Sequence, residues 1–254
     1  MSRFNLHTHT TYCDGLHTPR ELVAEAVKQG CPCIGFSGHS HTPFDESYCM
    51  SVAGTEAYKR EIRELKAEYR GVIDIYLGIE QDYYGDLPTA DYDFVIGSVH
   101  YIKVGLTYLP IDEAPYVWDI IQREYFGGDT YAVAEAYFET VADVYRKTHC
   151  DIIGHFDLIT KFNEGNRLFD ESHPRYQKAA WDALYALAKT PALFEVNVGD
   201  VARGRKETPF PSPQYIEYLE QNNHRLIYTT DCHDKALLVF GLPDTDVADF
   251  TFLK

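Results

Sequence analysis

His7-Thr8-His9 offers two imidazoles at positions i and i+2. On a strand such a pair points to one face, where both rings can reach one metal ion. By itself the pair is weak evidence, since two incidental histidines look the same. The chain then repeats the device. Successive apolar runs end in a histidine or a carboxylate: His39 after residues 33–37, Glu80 after 72–79, His100 after 94–99, His155 after 151–154, and Asp231 with His233 after 225–229. Asp14, in the first loop, makes nine donors, and Asn197 ends a further run as a poor ligand. Ionisable groups gathered without partners at one place would be costly. Nitrogen and oxygen donors without thiolates suit Zn, Mn or Fe. Nine donors are too many for one divalent ion and suffice for three if one carboxylate bridges.

These donors need elements to carry them. Seven apolar segments are expected as strands: residues 4–7, 33–37, 72–79, 94–99, 151–154, 192–196 and 225–229. Helical stripes separate most of them. In Thr18-Pro19-Arg20-Glu21, Thr18 can cap, Pro19 suits the first helical position and Glu21 completes a capping box. Leu22, Val23, Ala26 and Val27 form the apolar stripe behind it, and Gly30 stops the helix. Further helices are expected over residues 55–70, 130–147, 174–189 and 213–222. Residues 81–92 contain Gly85 and Pro88 and show no helical period, so they are expected to cross as a loop. Residues 101–129 are aromatic and irregular, and are expected as an active-site lid or as a covering helix near 116–125. The tail from Asp234, with a short helix at 235–240, is expected to close the barrel. Alternating strands and helices at 254 residues imply a parallel α/β barrel in one domain spanning 1–254. In such barrels chemistry sits at the C-terminal strand ends.

Composition narrows the partners. Asp and Glu number 39 against 23 Lys and Arg, a net charge of −16. Such a surface repels nucleic-acid polymers and anionic membranes. No apolar run approaches the roughly 20 residues of a membrane span, and the absence of a basic, then apolar opening gives no expectation of export. Cys31-Pro32-Cys33 is not a C-x-x-C motif. The six cysteines are expected as reduced thiols, which implies a cytoplasmic location. Cys232 lies between Asp231 and His233, but its side chain is expected on the opposite face.

The motifs His7-Thr8-His9-Thr10 with Asp14-Gly15, Gly38-His39-Ser40, Gly78-Ile79-Glu80, Gly97-Ser98-Val99-His100, Gly154-His155-Phe156-Asp157 and Thr230-Asp231-Cys232-His233 span almost the whole chain. In content and order they resemble the polymerase and histidinol phosphatase (PHP) family of metal-dependent phosphoesterases. Gly97–Ile102, residues 153–162, and Glu195-Val196-Asn197 with its arginine-bearing loop and Pro209-Phe210-Pro211-Ser212 are most similar to the histidinol-phosphate phosphatases. The resemblance implies a distorted (β/α)7 barrel with a trinuclear centre. His7, His9, Glu80 and Asp231 would hold one ion; Glu80, His100 and His155 a second, with Glu80 bridging; Asp14, His39 and His233 a third. His17 competes with Asp14 for the third ion, and His41 is an extra histidine with no assigned role.

The chemistry so implied is phosphomonoester hydrolysis by in-line attack. A metal-bridging hydroxide, its pKa lowered toward about 7, would be the nucleophile. Glu80, Asp231 and His233 are the catalytic candidates, the last two as proton relays. Arg203 is the first choice for a phosphate clamp, because a guanidinium matches a phosphate edge bidentately; Arg167, Lys161 and Arg205 follow. Asp112 and Glu113 are placed to orient an amine or imidazole. The resemblance implies release of L-histidinol and phosphate from L-histidinol phosphate, a step of histidine biosynthesis. The nearest alternative is a PHP-type phosphoesterase acting on nucleotides or other small phosphate esters. An amidohydrolase-like enzyme would want a strand-end lysine, which the chain lacks. A non-catalytic metal-binding protein would have no use for a phosphate clamp.

Overall fold

A computed structural model describes residues 3–245. The elements run α1 (Pro19–Lys28), β1 (Cys33–Phe36), α2 (Val52–Glu68), β2 (Asp74–Asp82), β3 (Phe94–Ser98), β4 (Tyr101–Val104), β5 (Thr107–Pro110), α3 (Pro115–Ile120), α4 (Thr130–Ala142), α5 (Val144–Thr148), β6 (Ile152–Ile153), α6 (Pro174–Leu187), β7 (Leu193–Asn197), α7 (Gly199–Ala202), α8 (Pro213–Gln221) and β8 (Leu226–Thr229). Six strands pair in parallel in the order β1-β2-β3-β6-β7-β8.

The N-terminal segment closes the ring. Asn5 bridges Ile34 of β1, and Thr8 bridges Cys232 just beyond β8, both in parallel. Four backbone hydrogen bonds of 2.8–3.0 Å complete the seam: Gly35 N–H to Asn5, Ser37 N–H to Thr8, His9 N–H to Cys232 and Cys232 N–H to His7. The first expected strand therefore exists as two bridges rather than a ladder. A bend at Leu6 interrupts its alternation. Leu6 belongs to a small apolar cluster with Phe4, Cys33, Phe94, Ile96, Ile152, Leu193 and Ile227. That cluster draws on strand segments alone, so it fills the barrel interior. Gly78 makes room for it: a Cβ there would meet the Phe94 ring at 2.3 Å. The larger core lies between the strands and the surrounding helices.

Local signals explain the helices. The Thr18–Glu21 capping box forms, with Pro19 in the first turn. Ser51 caps α2 and so starts it three residues earlier than its apolar stripe suggests. The helix expected over 130–147 breaks at Asp143 into α4 and α5. The Asp143 carboxylate there accepts hydrogen bonds from Tyr83 and Arg146. Residues 81–92 cross without a helix, though β2 runs on to Asp82. The segment 101–129 is an antiparallel hairpin, β4–β5, followed by α3 and a wide turn over Ile121–Tyr125. The tail forms one turn, Lys235–Leu237, and residues 246–254 lie outside the described part. Among the described residues no helix is long and apolar enough to cross a membrane, and all six cysteines are free.

Candidate metal centre

The strand ends, with Asp14 from the first loop, deliver all nine expected donors to one cluster. Glu80 lies at its middle, near the end of β2 and only 1% exposed. Its Oε2 lies 3.3 Å from His7 Nε2, 3.6 Å from His9 Nε2 and 2.8 Å from His39 Nδ1. Its Oε1 lies 2.8 Å from His155 Nε2 and 3.4 Å from His100 Nε2. Asp231 Oδ1 sits 2.9 Å from His9 Nε2 and 3.6 Å from His7 Nε2. Asp14 gathers the outer group, at 3.4 Å from His9 Nδ1, 3.6 Å from His39 Nε2 and 3.1 Å from His233 Nε2. Asp231 adopts a left-handed backbone, φ 46°, which few non-glycine residues hold.

Three overlapping groups could each hold an ion: His9, Asp14, His39 and His233; His7, His9 and Glu80; and His39, Glu80 and His100. A fit test comes from His7 Nε2, His9 Nε2 and Glu80 Oε2, which are buried and make no hydrogen bond. Buried polar atoms without partners cost free energy, and a shared cation would satisfy all three. Nitrogen and oxygen donors suit a divalent transition metal. The cluster polarises itself. Burial alone would lift Glu80 and Asp231, but the surrounding imidazoles outweigh it and hold both carboxylates well below their usual range. Burial would lower His39, yet Glu80 and Asp14 raise it to about 9. His9 goes down, pressed by burial and by His233 and His39.

Outside the cluster, partners fix the rings. Glu195 Oε1 faces His7 Nδ1 at 2.5 Å, leaving Nε2 toward the donors. Asp82 Oδ2 faces His100 Nδ1 at 3.1 Å. A histidine ligand typically donates its second N–H to such an acceptor. Neither carboxylate was expected from the sequence as a site residue. For Glu195 the available signal was a charged residue inside an apolar strand, whereas Asp82 lies in the stretch 81–92 that reads as a loop. His17 turns away from the cluster to Asp234, at 3.2 Å, so Asp14 is the residue placed with His39 and His233. His41 lies between Asp86 and Glu46, at 3.0 and 3.1 Å.

A cavity of about 700 Å³ opens over the cluster. Arg203, Lys161 and Arg205 line it together with Asp112 and Glu113. Arg203 donates to the Asp231 carbonyl and lies 2.8 Å from His233 Nδ1. Lys161 pairs with Asp112 at 2.8 Å. Burial works against the Lys161 charge, but Asp112 outweighs it and the pKa rises. Arg167 is a correction: it is exposed and does not line the cavity. Asn163 folds its loop back by accepting from the Leu168 and Phe169 amides and donating to the Phe169 carbonyl, which leaves Arg167 outside. Cys232 packs in the outer core, away from Asp231 and His233.

Barrel, strand-end donors and cavity together define a candidate metal site of the kind metal-assisted enzymes use, and comparison with known proteins gives the family. The sequence profile of the PHP domain matches residues 5–198, so the chain belongs to the PHP family. A Schizosaccharomyces pombe protein named "Probable histidinol-phosphatase" is 27% identical over 253 residues, covering 89% of this chain and 79% of its own. A Listeria monocytogenes structure assigned to the histidinol phosphatases superposes with a TM-score of 0.79 at 18% identity, covering 94% of this chain and 98% of that one. A Lactococcus lactis histidinol phosphate phosphatase, solved with zinc, L-histidinol and phosphate, gives a TM-score of 0.65 at 21% identity, over 92% and 87% of the two chains. The two structures share the fold of this chain, a distorted barrel.

Proposed function

We propose that the chain hydrolyses L-histidinol phosphate to L-histidinol and phosphate, using divalent ions held by the nine clustered donors. The observation that carries this reading is the convergence of those donors beneath a cavity lined by both arginine and carboxylate side chains. The names of the relatives support the same substrate. Three ions fit the donor count, with His7, His9, Glu80 and Asp231 on one, Glu80, His100 and His155 on the second, and Asp14, His39 and His233 on the third. Zinc is the first candidate, since the Lactococcus structure holds it. Bound there, such ions supply Lewis acidity for phosphoester hydrolysis.

The protein's own groups do the rest. Arg203 meets the phosphate as a planar donor, with Lys161 and Arg205 adding positive charge at the same cavity. Because Lys161 occupies Asp112, the exposed Glu113 is the freer carboxylate for the cationic amine of the substrate. Hydrolysis breaks the bond from phosphorus to the ester oxygen, and that oxygen must gain a proton. Asp231 and His233 line the cavity and are placed to relay it. The segment 101–129 acts as the lid, and reduced cysteines fit a cytosolic enzyme. The test is phosphate release by zinc-loaded protein from L-histidinol phosphate beside nucleotides and sugar phosphates. Strong preference for histidinol phosphate is expected. Equal rates across the panel would remove the substrate assignment and favour a general small-phosphate esterase.

A further inference from the structure

We infer that Glu195 is a positioning residue that braces two of the metal-binding strand ends with one carboxylate. The inference rests on the metal-dependent reading above. Glu195 is completely buried in the middle of β7. A charge in that place is costly unless every lone pair is engaged. Here each is. Oε1 lies 2.5 Å from His7 Nδ1 and accepts from the Thr229 hydroxyl at 2.6 Å. Oε2 accepts from the His155 backbone N–H at 2.6 Å and from the Asn197 amide at 3.3 Å. With both oxygens filled, Glu195 is not itself a ligand.

Its partners explain its effect. An ionised carboxylate only accepts, so His7 must present Nδ1–H to it. In the neutral ring that binds a metal, the proton on Nδ1 leaves Nε2 as the donor atom, and Nε2 is the nitrogen that faces Glu80 Oε2, 3.3 Å away. The second oxygen holds the amide of His155, the residue whose ring reaches Glu80 Oε1 at 2.8 Å. Glu195 therefore ties the first segment of the barrel, the end of β6 and, through Thr229, the end of β8. His7 and His155 face opposite oxygens of the same Glu80, so one brace sets the geometry on both sides of the central carboxylate.

The experiment titrates metal-stripped wild type, Glu195→Gln and Thr229→Val with zinc against a chromophoric chelator. Glu195→Gln keeps the shape but places an amide N–H₂ where an acceptor is needed; Thr229→Val removes one donor and leaves both histidines intact. Losing such an outer partner typically weakens metal binding by about 10–100-fold, and that loss is expected for Glu195→Gln, with a smaller one for Thr229→Val. Proton-coupled ¹⁵N spectra of histidine-labelled, zinc-loaded protein should show a protected His7 Nδ1–H in wild type that is lost in Glu195→Gln. If Glu195→Gln does not fold, a weakened zinc affinity in Thr229→Val supports the brace and an unchanged affinity overturns it. Zinc affinity and the His7 signal both unchanged in folded Glu195→Gln would also overturn the brace and leave the metal centre standing. Failure of wild type itself to bind zinc would bring down the metal-dependent reading and the brace with it.

Discussion

Asp157 shows how a buried acid near the site must behave. It is fully buried, and one oxygen accepts from both the amide and the hydroxyl of Ser212. The other oxygen has no partner. Burial outweighs the Ser212 bonds and raises its pKa. An acid raised on folding holds its proton more tightly in the folded state. Its contribution to stability is therefore full below the unfolded value of about 3.9 and is lost as pH rises through the folded pKa. Asp157→Asn removes that dependence, so its unfolding free energy should fall less, or rise more, than wild type between pH 4 and 8. Urea denaturation across that range checks it, and parallel curves would refute it. At this scale the sequence exposes the donors well, because all but Asp14 lie at the end of an apolar run. Glu195 and Asp82 escape it. Glu195 sits mid-strand and Asp82 at the last residue of β2, and their partners His7 and His100 are 188 and 18 residues away. Alternation shows that such residues point inward but not which ring they meet.

The lid is where element-level reading fell shortest. The covering helix expected near 116–125 is present as α3 and the wide helical turn after it, whereas the β4–β5 hairpin before it, turning at Gly105 with φ 61°, carries no sequence signal. The strands are only four residues each and follow directly on the β3 end, so no turn signal separates them from the barrel. The hairpin packs on the loop after β1. Phe44 stacks on Tyr108 with ring centroids 3.7 Å apart, and Tyr101 donates to Asp45 at 2.7 Å. That loop brings Asp45, Ser47 and Tyr48 to the cavity. A stacked pair contributes about 0.5–1.5 kcal/mol beyond area. Phe44→Ala should therefore raise KM for histidinol phosphate roughly 2–10-fold with kcat little changed, read by steady-state kinetics. An unchanged KM would separate the hairpin from substrate binding. The break at Asp143 was hidden for a different reason: the apolar period continues through it, and only the Tyr83 and Arg146 contacts mark the site.

Across the whole molecule, the ring closes by joining the first residues to the last strand. His9 hydrogen-bonds Cys232 at 2.9 Å, and Asp14 meets His233 at 3.1 Å. Ions shared among these donors would stitch together segments more than two hundred residues apart. Binding to the folded state alone stabilises it by about 2.7 kcal/mol at a hundredfold excess over Kd. Stripping the metal should then lower Tm by roughly 5–10 °C, with zinc restoring it in a calorimetric scan; an unchanged Tm would mean that no ion bridges the seam. The fold class was legible because seven apolar runs alternate with helical stripes. Closure through two bridges was not, since a bend at Leu6 is invisible to alternation. The most direct measurement is phosphate release from L-histidinol phosphate by metal-stripped protein, before and after adding zinc, manganese or iron, with Glu80→Gln alongside. Stripped wild type should be silent and recover with at least one ion, while Glu80→Gln stays far below it. Full turnover without metal, or a Glu80→Gln variant as active as wild type, would contradict a metal centre built around Glu80.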